Sequence, residues 1–189
     1  MTPGGGPRPR RRPGPPEGEP AVFAADEQSA HPVDITRLAA LAEGVLAAEG
    51  VRGACELALY FVDEETIGDL NRRFLDGDGP TDVLAFPIDD ELVEGCRAPD
   101  AGSSGPDRPP IEASEIPLLL GDVLICPAVA HRNAPVHAGT YEDELALLTV
   151  HSVLHVLGMD HAEPEEAATM QAREREHLAA LYRPPAESS

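Results

Sequence analysis

Residues 150–161, VHSVLHVLGMDH, set three histidines into twelve positions of an otherwise apolar stretch. His151 and His155 stand four apart, so on an α-helix they lie one turn above each other on the same face. Leu154, Val156 and Leu157 fill the turns between them, and Gly158 stands where a helix ends in the left-handed conformation that glycine adopts at little cost. His161 follows three residues later, on a turn able to return it to the first two. Three neutral imidazoles converging on one point make a zinc site whose fourth position stays open to water. Water bound there ionises near neutral pH, which is the chemistry of a hydrolase. Asp160, next to His161, is placed to orient a ligand or that water.

The spacing HxxxHxxGxxH also invites comparison with zinc proteases of the HExxHxxGxxH type. Here Ser152 follows the first histidine, and serine cannot serve as the glutamate general base of that route. Hydrolysis of peptides or small molecules is therefore the second reading. His31, His131, His137 and His177 have no neighbour at ligand spacing and are expected to bond locally, although Arg132 and His137 are candidates to border the cleft. Cys55, Cys96 and Cys126 are odd in number and widely spaced, without a CxxC pair, which argues against a disulfide framework and fits a reducing cytoplasm. Cys55 and Cys126 sit in apolar, strand-like runs and are expected to pack in a core.

The 189 residues suffice for one domain with a core plus tails. Hydrophobic content is 42 %, and no apolar run approaches the roughly 20 residues of a membrane-spanning helix. No apolar segment follows the N-terminal arginines, so no secretory signal is expected. Formal charge is −20, and the first twenty residues carry four arginines and two glutamates, so the rest carries about −22. Such a field disfavours nonspecific binding to a polyanion, and a nucleic-acid function needs a local basic patch. Arg73 and Arg132 are the candidates for that patch.

Several elements must position the histidines. Residues 1–20, nearly all Gly, Pro, Arg and Glu, predict a disordered tail, and 183–189 are expected as a short C-terminal tail. Strands are predicted at 21–26, 55–63, 83–88 and 116–126, with Pro87 marking an edge and Gly121 a bulge or close backbone approach. Helical periodicity runs from Asp34 to Gly50, from Asp63 through Phe74, after Pro127, from Thr140 through the histidines, and over about 163–182. Residues 90–115, acidic and rich in Gly, Pro and Ser, predict a mobile insertion within a domain of 21–182.

HSVLHVLGMDH resembles the HGxxHLxGYDH signature of the YbeY family, single-strand-specific, metal-dependent endoribonucleases linked to 16S ribosomal RNA 3′-end maturation and ribosome quality control. LNRRFLDGDGPTDVLAFPID (70–89) resembles that family's LNxxFRxxDxPTDVLSFP segment. LLGDVLIC and ELALLTVHSVLH resemble two further stretches, and the similarity covers about 21–182. The resemblance implies an α/β fold (α+β) with a small mixed sheet of about four strands packed by helices, and His151, His155 and His161 as ligands of one Zn2+. It implies RNA as substrate, a partner such as the small ribosomal subunit or a ribosomal protein, and a cytoplasmic location, with neither membrane nor DNA involved. Leu75 stands where the family often has an arginine, so Arg73, with Arg72 beside it, is the candidate for neutralising charge on a phosphodiester. A noncatalytic ribosome-assembly factor with a structural zinc is the remaining alternative.

Overall fold

The computed structural model describes residues 19–88, 118–159 and 161–183. The expected tails at 1–20 and 183–189 and the insertion at 90–115 fall almost wholly outside these residues, as does Asp160. Along the chain run β1 (Ala21–Asp26), α1 (Ile35–Ala48), β2 (Cys55–Phe61), α2 (Glu64–Leu75), β3 (Val83–Pro87), β4 (Leu118–Ile125), α3 (Pro127–Asn133), α4 (Tyr141–Val156) and α5 (Pro164–His177). The strands form one sheet in the order β1-β2-β4-β3. β1, β2 and β4 are parallel, and β3 pairs antiparallel with β4 at an edge, where the missing N–H of Pro87 disrupts no ladder. This is the mixed four-stranded α/β architecture that the resemblance implies.

Short polar side chains set where the helices begin. Asp34 accepts from Arg37 N at 3.0 Å, Asp63 from Thr66 N at 2.8 Å and Thr140 from Asp143 N at 3.2 Å. Each such cap stabilises its helix by about 1 kcal/mol. The bond from Thr66 also holds the Asp63 carboxyl below the usual carboxylate range. At the other end of the chain, the helical periodicity that runs to 182 is not one α-helix. α5 stops at His177 and a π-helical turn, Leu178–Tyr182, follows, setting Tyr182 beneath Arg37 with the guanidinium 4.2 Å from the ring centroid.

One face of the sheet carries the core. Leu57, Leu59, Phe61, Val123 and Ile125 are fully buried against Leu41, Val45 and Leu46 of α1 and Val150, Val153 and Leu154 of α4. α4 is buried on nearly all sides, which is why its apolar residues do not form a simple stripe. Gly121 marks the close approach its position predicts: a Cβ there would lie 2.6 Å from Phe86 O and 3.2 Å from Val156 Cγ1. The ladder between β2 and β4 slips at the same place, between Glu56 and Leu57. The opposite face carries a smaller cluster of Val62, Ile67, Leu84, Cys126 and Val129, under α2 and α3. Cys126 is buried as a free thiol, whereas Cys55 is disulfide-bonded, a correction to the expectation of unbridged cysteines. Widely spaced cysteines carry no pairing signal, so spacing alone misses such a bond.

Candidate metal centre

α4 carries two histidines to the rim of the core and its C-terminal cap returns the third. Gly158 adopts φ +91°, Gly158 N donates to His155 O at 2.9 Å and Met159 N donates to Leu154 O at 3.0 Å. These two bonds are the helix-ending pair that a left-handed glycine permits. The chain doubles back across the last turn, and His161 meets His151 and His155, with ring centroids 4.6–5.6 Å apart in pairs. One ligating atom from each imidazole lies within 4.8 Å of the other two.

His151 Nδ1 lies 2.7 Å from Glu174 Oε1. A carboxylate only accepts, so Nδ1 carries the proton and Nε2 keeps the lone pair that a metal takes. Glu174 projects from α5 and is 9 % exposed, in line with buried Met170 and His177. Sequence reading from the histidines alone misses it. The available signal is a carboxylate on the inward stripe of a helix, four residues after Met170 and three before His177.

The three imidazoles open onto a cleft of about 310 Å³ whose opposite wall is β3, through Val83, Leu84, Ala85 and Pro87, with Leu75 from the end of α2 at the lip. Ser152 also lines it, but its hydroxyl donates to Thr149 O at 3.0 Å and the residue is fully buried. It does not replace a general base. The donor set fits zinc: nitrogens of a tetrahedral site stand roughly 3.3 Å apart, and small rotations of rings on a helix rim and a turn close the observed spread. Three imidazoles gathered at the rim of the core, two half-buried and one exposed, with a carboxylate against one ring, are a donor set that suits such an ion.

The candidate cations fall elsewhere. Arg132 NH2 lies 2.6 Å from Glu64 Oε1, and the pairing lowers the Glu64 pKa. Glu64 begins α2 and Leu75 ends it, so Arg132 is roughly 16 Å of helix away from the cleft lip. Arg132 is thus both neutralised and remote, contrary to its expected place in the basic patch. His137 bonds to buried Glu144 at 3.1 Å instead of bordering the cleft, and His177 to Glu49 at 2.6 Å. His31 and His131 group with Tyr141, their ring centroids 5.0–6.0 Å apart. Arg72 pairs with Asp69, whereas Arg73 makes no ion pair among the described residues and lies over Phe74, 5.5 Å from the ring centroid. Arg73 therefore stands in the last turn of α2, two residues before the lip residue Leu75, without an ion pair among the described residues.

The family model described as Endoribonuclease YbeY matches residues 23–182. A protein named Endoribonuclease YbeY from Salinispora tropica is 42 % identical over 159 residues, covering 84 % of this chain and 94 % of its own length. One of the same name from a Nocardioides species is 44 % identical over 153 residues, covering 81 % and 93 %. The solution structure of a Thermotoga maritima protein superposes with a TM-score of 0.50 at 23 % identity, over 90 % of this chain and 96 % of that one, and shares the fold.

Proposed function

Since this chain belongs to the endoribonuclease YbeY family, we propose that it is a zinc-dependent endoribonuclease that cuts single-stranded RNA. Its proposed setting is the cytoplasm, in 16S ribosomal RNA 3′-end maturation and ribosome quality control, with the small subunit or a ribosomal protein selecting the target. Among the described residues no helix is long and apolar enough to cross a membrane. The observation that carries the reading is the three-histidine group opening on a cleft, with Glu174 fixing one imidazole.

His151, His155 and His161 would hold the ion, each through one neutral nitrogen. Bound zinc supplies a Lewis acid for a phosphoryl oxygen and lowers the pKa of coordinated water to about 7. Glu174 keeps His151 oriented and strengthens it as a donor. The apolar wall of β3 limits water around the reacting phosphodiester, so charges there interact more strongly. Arg73 reaches toward charge that builds on the phosphoryl oxygens, in place of the arginine that Leu75 replaces. Asp160 is the proposed orienting group beside His161.

Incubating the purified chain, with and without a chelator, on single-stranded RNA and on casein tests this reading. Cleavage of RNA alone, abolished by the chelator, supports it. Casein cleavage would favour a peptide hydrolase, and zinc binding with neither substrate cut would favour an assembly factor with a structural metal. The open cleft argues against that last case, because a structural zinc is closed by four protein ligands.

A further inference from the structure

The sheet face opposite the core is only partly covered. α2 and α3 shield it around Ile67 and Val129, and the rest carries rings from β1, β2 and β3, with Asp122 of β4 between the last two. Phe23 on β1 lies 5.9 Å from Tyr60 on β2, and Phe86 on β3 stands opposite Asp122 on β4. Phe74, at the end of α2, meets Phe86 edge-on at 5.6 Å between ring centroids and is 59 % exposed. The chain has only four Phe and three Tyr, so four of its seven aromatic rings gather on this one face. Tyr60, Leu70, Phe74, Phe86, Asp122 and Leu124 enclose a pocket of about 330 Å³.

The pocket adjoins the metal cleft. Phe74 and Leu75 are consecutive, the first lining the pocket and the second the cleft. On edge strand β3, Phe86 faces the pocket while its neighbours Ala85 and Pro87 line the cleft. A strand crossing the β3 edge at the end of α2 touches both. Arg73, which makes no ion pair among the described residues, sits on the exposed ring of Phe74 at that crossing.

We infer that this pocket is a subsite for an unpaired nucleobase of the RNA strand, that of the nucleotide next to the scissile phosphodiester. The inference rests on the RNA-cleaving reading above. The base stacks on Phe74 and Phe86, its phosphate meets Arg73, and its Watson–Crick edge faces Asp122 and Tyr60. Every nucleobase presents a donor and an acceptor on that edge. The Asp122 carboxylate accepts and the Tyr60 hydroxyl donates, and neither side chain has a hydrogen bond among the described residues. Burial and the carboxylates of Asp122, Glu27 and Glu56 raise the Tyr60 pKa, so the hydroxyl keeps its proton at neutral pH. Only a base free of a pairing partner can use that edge, so the pocket itself selects single strands. The carboxylates disfavour phosphate inside the pocket, which keeps the backbone at its rim beside Arg73.

The test pairs abasic substitution in the substrate with substitution in the protein. The zinc-loaded full chain is given labelled single-stranded RNA oligonucleotides with one abasic ribose at successive positions. Binding is read by fluorescence anisotropy at low temperature, and cleavage is read separately. Stacking of one base is worth roughly fivefold or more in affinity. We expect one abasic position, or two adjacent ones, to weaken binding by that factor. Phe74→Ala should weaken the intact strand to the same extent and gain nothing further from that abasic position, while Phe74→Trp restores affinity. Phe74 is exposed, and unchanged zinc content and melting temperature in the variants confirm that they fold. Equal loss at every position, or full additivity with Phe74→Ala, would overturn the subsite. So would abasic strands binding normally while Phe74→Ala releases an arginine-rich peptide, since the face would then dock protein. If the position-specific loss appears but no RNA is cut, the subsite stands and the catalytic reading falls.

Discussion

Replacing Glu174 by glutamine removes one charge and almost no volume, and it isolates what the carboxylate does for His151. The contact is short, 2.7 Å to Nδ1, and the Glu174 side chain is only 11 % exposed, so solvent screens little of its field. Hydrogen-bonded partners of zinc-bound histidines typically account for about 10–100-fold in metal affinity, which is about 1.4–2.8 kcal/mol. Burial places this pair in the upper half, and we expect zinc affinity to fall roughly 30-fold or more in Glu174→Gln. Competition between the protein and a chromophoric chelator measures it directly. Glu174→Asp, too short to reach, should lose a comparable amount, while metal-free Glu174→Gln should melt close to the wild type. An affinity within about threefold of wild type in Glu174→Gln would refute the idea that this carboxylate tunes the ligand.

His155→Ala leaves two imidazoles, and metal analysis should show zinc falling from about one per chain to nearly none; wild-type stoichiometry would remove the site. Gly121→Ala drives a methyl to within 2.6 Å of Phe86 O, so β3 must shift at a cost of about 1–3 kcal/mol, read as a melting temperature lower by roughly 3–10 °C. Burial, then the charge of Asp26, pushes the Tyr141 pKa up to about 12, so above the unfolded value the folded state binds more protons. Stability should therefore fall between about pH 10 and 12, and denaturant titrations of Tyr141→Phe should show a shallower fall; an unchanged slope would remove the assignment. Arg73→Ala should weaken RNA binding and reduce its log–log salt slope by about 0.7 with zinc content intact, and an unchanged slope would show that Arg73 does not meet phosphate.

The elements were legible where local chemistry decides them. Asp34, Asp63 and Thr140 announce three helix starts, Pro87 an edge, and Gly121 and Gly158 two places where a Cβ or a negative φ does not fit. The ligand group was legible for the same reason, because helix spacing and one glycine carry all three histidines. Partners supplied by distant segments were not. Glu174 meets His151 across 23 residues, Glu64 takes Arg132 across 68, and Phe23, Tyr60 and Phe86 come into one row only when the strand order is known. The π-helical turn after His177 also escaped, since an apolar stripe continues through it with a period close to that of an α-helix.

Cleavage of single-stranded RNA during a zinc titration of the metal-stripped full chain tests the central claim most directly. The account predicts no cleavage without metal, activity rising in proportion to added zinc, and a break at about one equivalent per chain, with His155→Ala inactive throughout. Tight binding of one zinc with RNA left intact, or equal cleavage before and after stripping, would contradict it.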